Sequence, residues 1–188
     1  MITIPELTAQ ALGTFLTSET KGRFGASHAS LPELLPYVAK LALECIGNSD
    51  ALYHNVEHTM LVTLVGHDIL MGRAFQRHTT ASDLDEEEAL LLRAADLIGQ
   101  LGDPNYMKKS NALFHEFEEI GLNKALGYST PADVVYKYPQ FYWTNVAPQI
   151  QAAIRYLNVT SSGRQWISSL YSNVFRAERE LRLSGPQL

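Results

Sequence analysis

The sequence is poor in cysteine, in basic residues and in long apolar runs, and each deficit excludes a class of protein. A single cysteine, Cys45, among 188 residues excludes an internal disulfide framework. The 15 Lys and Arg against 20 Asp and Glu give a net charge of −5, which argues against a nucleic-acid backbone as the main partner. No apolar run reaches the roughly 18 residues that span a bilayer. We therefore expect no membrane association, and a buried apolar thiol at Cys45, which lies between Leu43 and Ile46.

The N-terminal segment also lacks the basic region and apolar core of a secretion signal, which predicts a cytoplasmic protein. The length suits one domain, residues 1–188, because nothing in the chain has the composition of a linker. A chain of this size buries enough surface to fold without a disulfide or a structural metal.

Apolar residues recur at helical spacing, and no segment alternates long enough for a strand. The sequence therefore predicts an all-α domain of about seven or eight helices. We expect them over 5–20, from Ser30 to Ile46, over 50–75, after Ser82, from Asp103 to Glu119, after Thr130, over 139–157 with a kink near Pro148, and over 161–181.

The segment 50–75 carries the motif Tyr53-His54-Asn55-Val56-Glu57-His58. Four residues separate His54 from His58, so on an α-helix their imidazoles lie one turn apart on the same face. Two such imidazoles can share a metal ion, or they can divide the work between a metal ligand and a proton donor. Asp96 follows the apolar stripe of a later helix, so its carboxylate can face the interior as well.

A YHNxxH motif followed by Ala95-Asp96-Leu97 on a later helix resembles the HD-domain metal-dependent phosphohydrolases. The likeness is closest to their branch related to cyclic-nucleotide phosphodiesterases. It continues through 99–106, 113–119, 138–143 and the final helix, and so covers most of the chain. The resemblance implies an HD/phosphodiesterase-like core, and a hydrolase of a phosphate ester or small nucleotide.

The resemblance also implies roles for three residues. His58 and Asp96 correspond to metal ligands, and His54 corresponds to the residue that protonates the leaving alkoxide. Imidazole and carboxylate ligands suit Zn, Mn or Fe, with Mg as a further candidate, and such an ion acidifies a water into a nucleophile. If His54 is instead a third ligand of one ion, its acid role is lost.

This chain departs from the family between the two motifs. The family carries a His-Asp pair there on a separate helix, whereas only about 20 residues separate Phe75 from Asp96 here. The one literal pair, His67-Asp68, lies on the same predicted helix as His58, about 13.5 Å and half a turn further along. Two ligands of one ion, each about 2 Å from it, cannot lie so far apart. We therefore predict that His67 and Asp68 are ordinary helix-surface residues, unless a break at Gly66 folds the helix back.

The shortening motivates a second hypothesis, a catalytically silent scaffold that binds a ligand or a protein. In that case His54, His58 and Asp96 are a relic that holds no metal. Loss of an internal segment leaves a cavity or an exposed apolar face, and a partner tends to cover such a face. A homodimer would cover this face, and the second chain could then supply His67 and Asp68 as metal ligands. A deletion variant of a longer enzyme has the same sequence pattern.

The remaining polar and aromatic candidates are assigned to structure. His28 and His78 are expected in loops, and His115 as a half-buried residue. The acidic run 85–88 is expected to be a solvated helix start. The aromatic cluster is expected in the core rather than as a platform for a nucleobase: Tyr136, Tyr138, Phe141, Tyr142 and Trp143.

Overall fold

The computed structural model describes residues 3–24, 30–76 and 84–184. All the regular structure in these ranges is helical, which confirms the all-α class. His28, His78 and Ser82 lie outside the described residues. None of the described helices is both long and apolar enough to cross a membrane.

The helices of the described ranges are more numerous than the predicted seven or eight. They are α1 (Ile4–Phe24), α2 (Leu31–Gly47), α3 (Val56–Gln76), α4 (Leu84–Leu101), α5 (Tyr106–Glu119), α6 (Leu122–Leu126), α7 (Pro131–Tyr136), α8 (Tyr138–Phe141), α9 (Gln151–Leu157) and α10 (Ser161–Ser184). A π-helical turn, Tyr142–Val146, continues α8. The predicted segment 139–157 is split in two near Pro148, which has no N–H to donate to a helix. Helix α6, a single turn between Gly121 and Gly127, was not predicted.

Contacts group the chain into two compact units, Met1–Met60 and Leu61–Leu188, and the boundary falls inside α3. The single domain over 1–188 stays a prediction.

In the first unit, α1 packs against α2. Ala9 and Leu12 of α1 meet Ala39 and Leu43 of α2, and the cluster is completed by Phe15, Leu16, Val56 and Met60. A Cβ at Gly13 would lie 2.9 Å from the Cα of Pro36, so only glycine permits this approach of the two helices. Leu7 and Ala11 of the same helix are exposed. The helix turns its Ala9 side to α2 instead.

Cys45 is exposed, so the prediction of a buried thiol was wrong. Helix α2 turns Ala39 and Leu43 towards α1. Cys45 follows Leu43 by two residues, which places it about 200° around the helix from that face. Its apolar neighbours in sequence therefore lie on other sides of α2.

In the second unit, α10 packs against α4, α8 and α9 and buries Leu170 and Val174. Asn173 of α10 is also buried, and its Nδ2 donates to the carbonyl oxygens of Leu101 and Asp103, at 2.8 Å each. These carbonyls lie at the end of α4, where a helix has no partners of its own for them. A polar side chain thus joins α10 to the turn after α4.

The predicted helix start at Thr130 is confirmed, whereas the helix expected from Asp103 begins at Tyr106, with Asn105 as its N-cap. The Asp103 carboxylate accepts from the Asn105 N–H at 2.7 Å and from Lys109 Nζ at 2.6 Å, just before α5. At α7, the Asp133 carboxylate accepts from the N–H of Thr130 at 2.7 Å. The Asp133 contact is part of a capping box, whereas the Asp103 contacts tie the turn before α5 to that helix.

The aromatic cluster is divided between core and surface. Tyr138 and Tyr142 are buried, as predicted, whereas Tyr136 and Trp143 are exposed. Burial raises the pKa of the Tyr138 phenol well above its usual range, and its hydroxyl has no hydrogen-bond partner. The prediction for His115 was wrong, because its side chain is exposed on α5.

Candidate histidine site

His54 lies just before a helix and not on it, so the predicted i, i+4 helical pair was wrong in its backbone. Helix α3 begins at Val56, and His54 lies in the bend that precedes it. The cause is Asn55, whose Oδ1 accepts from the N–H groups of Glu57 at 3.0 Å and His58 at 3.2 Å. An asparagine in this position satisfies N–H groups that have no partner within the helix, and so starts the helix there.

The two imidazoles are nevertheless close together. The ring centres of His54 and His58 lie 5.0 Å apart, and the ring planes are nearly perpendicular, at 83°. The Tyr53 ring lies 5.3 Å from His54 and 5.4 Å from His58. Tyr53 and His58 are buried, whereas His54 is exposed. The three rings therefore form one cluster with a buried and a solvent-facing imidazole.

The separation of the two rings suits a shared ion. A metal–nitrogen bond to histidine is about 2.0–2.1 Å, and the ring centre lies about 1 Å beyond the nitrogen, so two imidazoles on one ion have centres about 5 Å apart. The cluster also suits a division of roles. His58 has its backbone held by the Asn55 cap, and His54 can exchange a proton with solvent.

Asp96, the third predicted site residue, lies on α4 in the second unit and is half-buried. The buried side of α4 is Leu91, Ala94, Ala95, Ile98 and Leu101. Ala89 and Leu92 of the same helix are exposed. Within residues 3–24, 30–76 and 84–184, no three His, Cys, Asp or Glu side chains are close enough to hold a metal ion. The pair of His54 and His58 is what the structure brings together.

Asp68 is not a helix-surface residue, and that prediction was wrong. Its side chain is buried, with the residue 7% exposed. Its carboxylate accepts from Ser162 Oγ at 2.8 Å and from Trp166 Nε1 at 3.2 Å, both on α10. The Nδ1 atom of His67 lies 3.7 Å from Asp68 Oδ1. Asp68 thus joins α3 to α10.

A second buried charge on α3 was not found from the sequence. Arg73 is buried, and its guanidinium lies 3.2 Å from Glu87 Oε2 and 3.5 Å from Glu88 Oε1 on α4. Tyr156 of α9 donates its hydroxyl to Glu87 Oε1 at 2.8 Å. The acidic run is therefore more than a solvated helix start, because Glu87 takes part in an interhelical network. No local spacing could have indicated this, since the partners lie 14 and 69 residues away.

The first unit also contains a groove of about 480 Å³ beside the start of α3. Most of its wall is apolar: Ile4, Pro5, Ile46, Ala51, Val56 and Met60. Its polar lining includes Asn55 and Glu57, which lie between His54 and His58 in the sequence. No sequence pattern indicated this groove, because the ends of three helices form it.

Comparison with known proteins gives one family. A family model described as Npun_R2479-like matches residues 4–84 and 76–180, which is most of the chain. No curated protein and no solved structure matches.

Proposed function

The chain belongs to the Npun_R2479-like family, and we propose that it is a metal-dependent phosphohydrolase of a phosphate ester or small nucleotide. The observation that carries the proposal is the 5.0 Å separation of the His54 and His58 rings. The resemblance of their motif to that of the HD-domain phosphohydrolases adds the reaction class.

In this proposal His58 is a metal ligand and His54 protonates the departing oxygen. His58 is buried behind Tyr53 and has its N–H held by Asn55, so its ring has a set position. His54 faces solvent, which lets it regain a proton after each turnover. The chemistry that a bound divalent ion supplies is the acidification of a water into a nucleophile.

Neutral imidazole nitrogens fit Zn, Mn or Fe, and Mg fits them less well because it prefers oxygen ligands. The pair supplies two ligands, and a catalytic ion is held by about three protein groups. Asp96 is the further ligand that the resemblance implies, but among the described residues it does not join the two imidazoles in a group that could hold an ion. In a variant of the proposal, His54 is itself a ligand and a different group acts as the acid.

Metal content measured by elemental analysis, on protein purified without chelator, tests the proposal. We expect about one or two Mn, Fe or Zn per chain in the wild type and a loss in His58→Ala. The matched control is His67→Ala, which removes another α3 histidine and should keep the metal. Asp96→Asn should lose metal or activity if its carboxylate is a ligand. Wild type without metal after incubation with excess Mn would overturn the proposal.

Hydrolysis provides a second readout. A generic aryl phosphate monoester and diester are offered to the wild type, His58→Ala, His54→Ala and the His67→Ala control. We expect His58→Ala and His54→Ala to hydrolyse these substrates at least about 100-fold more slowly than the wild type, because a general acid typically contributes a factor of about 100 or more. Equal rates in all four proteins would mean that the activity does not come from this cluster.

A second candidate function is a catalytically silent scaffold that binds a partner. The observation that favours it is the number of large apolar side chains that α2 exposes, including Leu34, Tyr37 and Leu41. For either function we propose a cytoplasmic setting, which the single unpaired cysteine supports. A small phosphorylated ligand is the proposed substrate in the first case.

A further inference from the structure

Helix α2 has two apolar faces, and one of them is exposed. The packed face carries Ala39 and Leu43 and meets α1. The second face, the α2 stripe, consists of Leu31, Leu34, Tyr37, Val38 and Leu41, all of which are exposed. Leu41, for example, is 66% exposed. From Ala39, the stripe residues Val38 and Leu41 are about 100° and 160° away around the helix, so α1 cannot cover them.

The spacing within the stripe is that of a helix that pairs with another helix. Leu31, Leu34, Val38 and Leu41 are separated by three, four and three residues, the repeat of a coiled-coil seam. No charged residue interrupts the stripe. The charged side chains of α2 are Glu33, Lys40 and Glu44, and they lie together along one edge of it.

We propose that the α2 stripe binds the α2 stripe of a second copy of this chain, antiparallel and about a two-fold axis. An antiparallel pair centred near residue 36 places Leu31 opposite Leu41 of the other copy, and Leu34 opposite Val38. In that register Lys40 lies within about 1.5 Å, along the axis, of the level of Glu33 in the other copy. Lys40 therefore comes near Glu33 of the other copy twice in each dimer, while its Nζ also lies 3.6 Å from Glu44 Oε1 of its own helix.

The area of the stripe limits the size of the interface that two copies can form. Five side chains that are about half exposed offer on the order of 500 Å² per copy, and two copies remove on the order of 1,000 Å², the lower limit for a specific interface. We therefore expect dissociation in the micromolar range. An interface of this size suits a reversible dimer.

Sedimentation equilibrium of the full chain between about 1 and 200 μM tests the proposal. We expect a monomer–dimer equilibrium that Leu41→Glu weakens at least 100-fold, because each dimer then buries two carboxylates. Leu92→Glu is the matched control, since Leu92 is 68% exposed on α4, and it should leave the equilibrium unchanged. A monomeric wild type at 200 μM, or a dimer that Leu41→Glu leaves intact, would overturn the proposal. Circular dichroism checks that both variants are folded.

A charge exchange tests the orientation. Glu33→Lys and Lys40→Glu should each weaken the dimer several-fold by setting like charges side by side, and the double variant should restore it. Two weakened single variants whose double variant is weaker still would exclude the antiparallel register. None of these residues belongs to the histidine cluster. If Leu41→Glu is monomeric and keeps its metal, the dimer proposal and the proposed hydrolysis are tested independently of each other.

Discussion

The two parts of α3 carry similar residues that have different surroundings. Around its start, Tyr53, His54 and His58 form a ring cluster in which one imidazole faces solvent. Further along, Asp68 and Arg73 are buried, and groups from α10 and α4 occupy their polar atoms. A buried polar side chain with hydrogen-bond or ionic partners in other helices stabilises the fold. A solvent-facing imidazole, by contrast, is accessible to a substrate or an ion. The difference directs the search for chemistry to the start of the helix.

The largest effect is expected at Gly72, in the later part of α3. A Cβ there would overlap the backbone carbonyl of Tyr156, which cannot move aside as a flexible side chain can. We expect Gly72→Ala to lower the free energy of unfolding by about 3 kcal/mol or more, measured by urea denaturation. Gly66→Ala is the control on the same helix, where the nearest atom is the Cβ of Ala95 at 3.7 Å. That variant should be stabilised by about 0.5–1 kcal/mol through helix propensity. Equal effects at both positions would contradict the packing described for Gly72.

The next effect is expected at Asp68. Asp68→Ala leaves Ser162 Oγ and Trp166 Nε1 without their acceptor and opens a space beside them, so we expect a loss of about 2–4 kcal/mol in the free energy of unfolding. Metal content should stay at the wild-type level. Asp68→Asn keeps one acceptor oxygen and should lose less. If Asp68→Ala instead loses metal and keeps its stability, the assignment of opposite roles to the two parts of α3 is wrong.

His58→Ala is expected to lose metal and activity but little stability, the opposite of Asp68→Ala. Its ring contacts two other rings, so the loss of unfolding free energy should be only about 1 kcal/mol, while metal and hydrolysis are lost. His54→Ala should leave stability almost unchanged, because His54 is exposed. Comparing unfolding curves and metal content for both variants sharpens the contrast with Asp68. A His58 variant that unfolds as readily as Asp68→Ala would make the cluster structural.

The smallest expected effect is at the first turns of α3 and α7, and it differs between the two helices in its dependence on pH. Asn55 caps α3 with a neutral amide, whereas Asp133 supports α7 with a carboxylate. Hydrogen bonds from the Ser129 and Thr130 N–H groups hold the pKa of Asp133 below its usual value. Because the folded pKa is lower than the unfolded one, this contribution is present above about pH 4 and is lost as the pH falls through the lowered value.

We expect Asp133→Asn to lose about 0.5–1 kcal/mol at pH 7 and progressively less at acid pH. Asn55→Ala should lose a similar amount at every pH. Urea denaturation at pH 7 and at pH 3 measures both variants. A pH-independent loss in Asp133→Asn would show that the charge of the carboxylate contributes nothing at this cap.

Part of the site was predictable from the sequence. The proximity of His54 and His58 followed from their spacing, even though the backbone between them is a bend and a helix start rather than a full helical turn. Asp68 was misassigned because its partners, Ser162 and Trp166, lie 94 and 98 residues away. No periodicity within α3 reports on atoms so distant in the chain.

The sequence by itself determined the helical class and most helix starts and ends, because those depend on contacts within about four residues. Thr130 with Asp133 and proline at 148 are examples of such local control. Only the tertiary structure decided which face of each helix is buried. Cys45, His115 and Asp68 were all misassigned for this reason, since a helix with apolar residues on several sides can turn any of them inward. The neighbour that packs against it makes the choice, because close packing rewards one arrangement of side chains over the others.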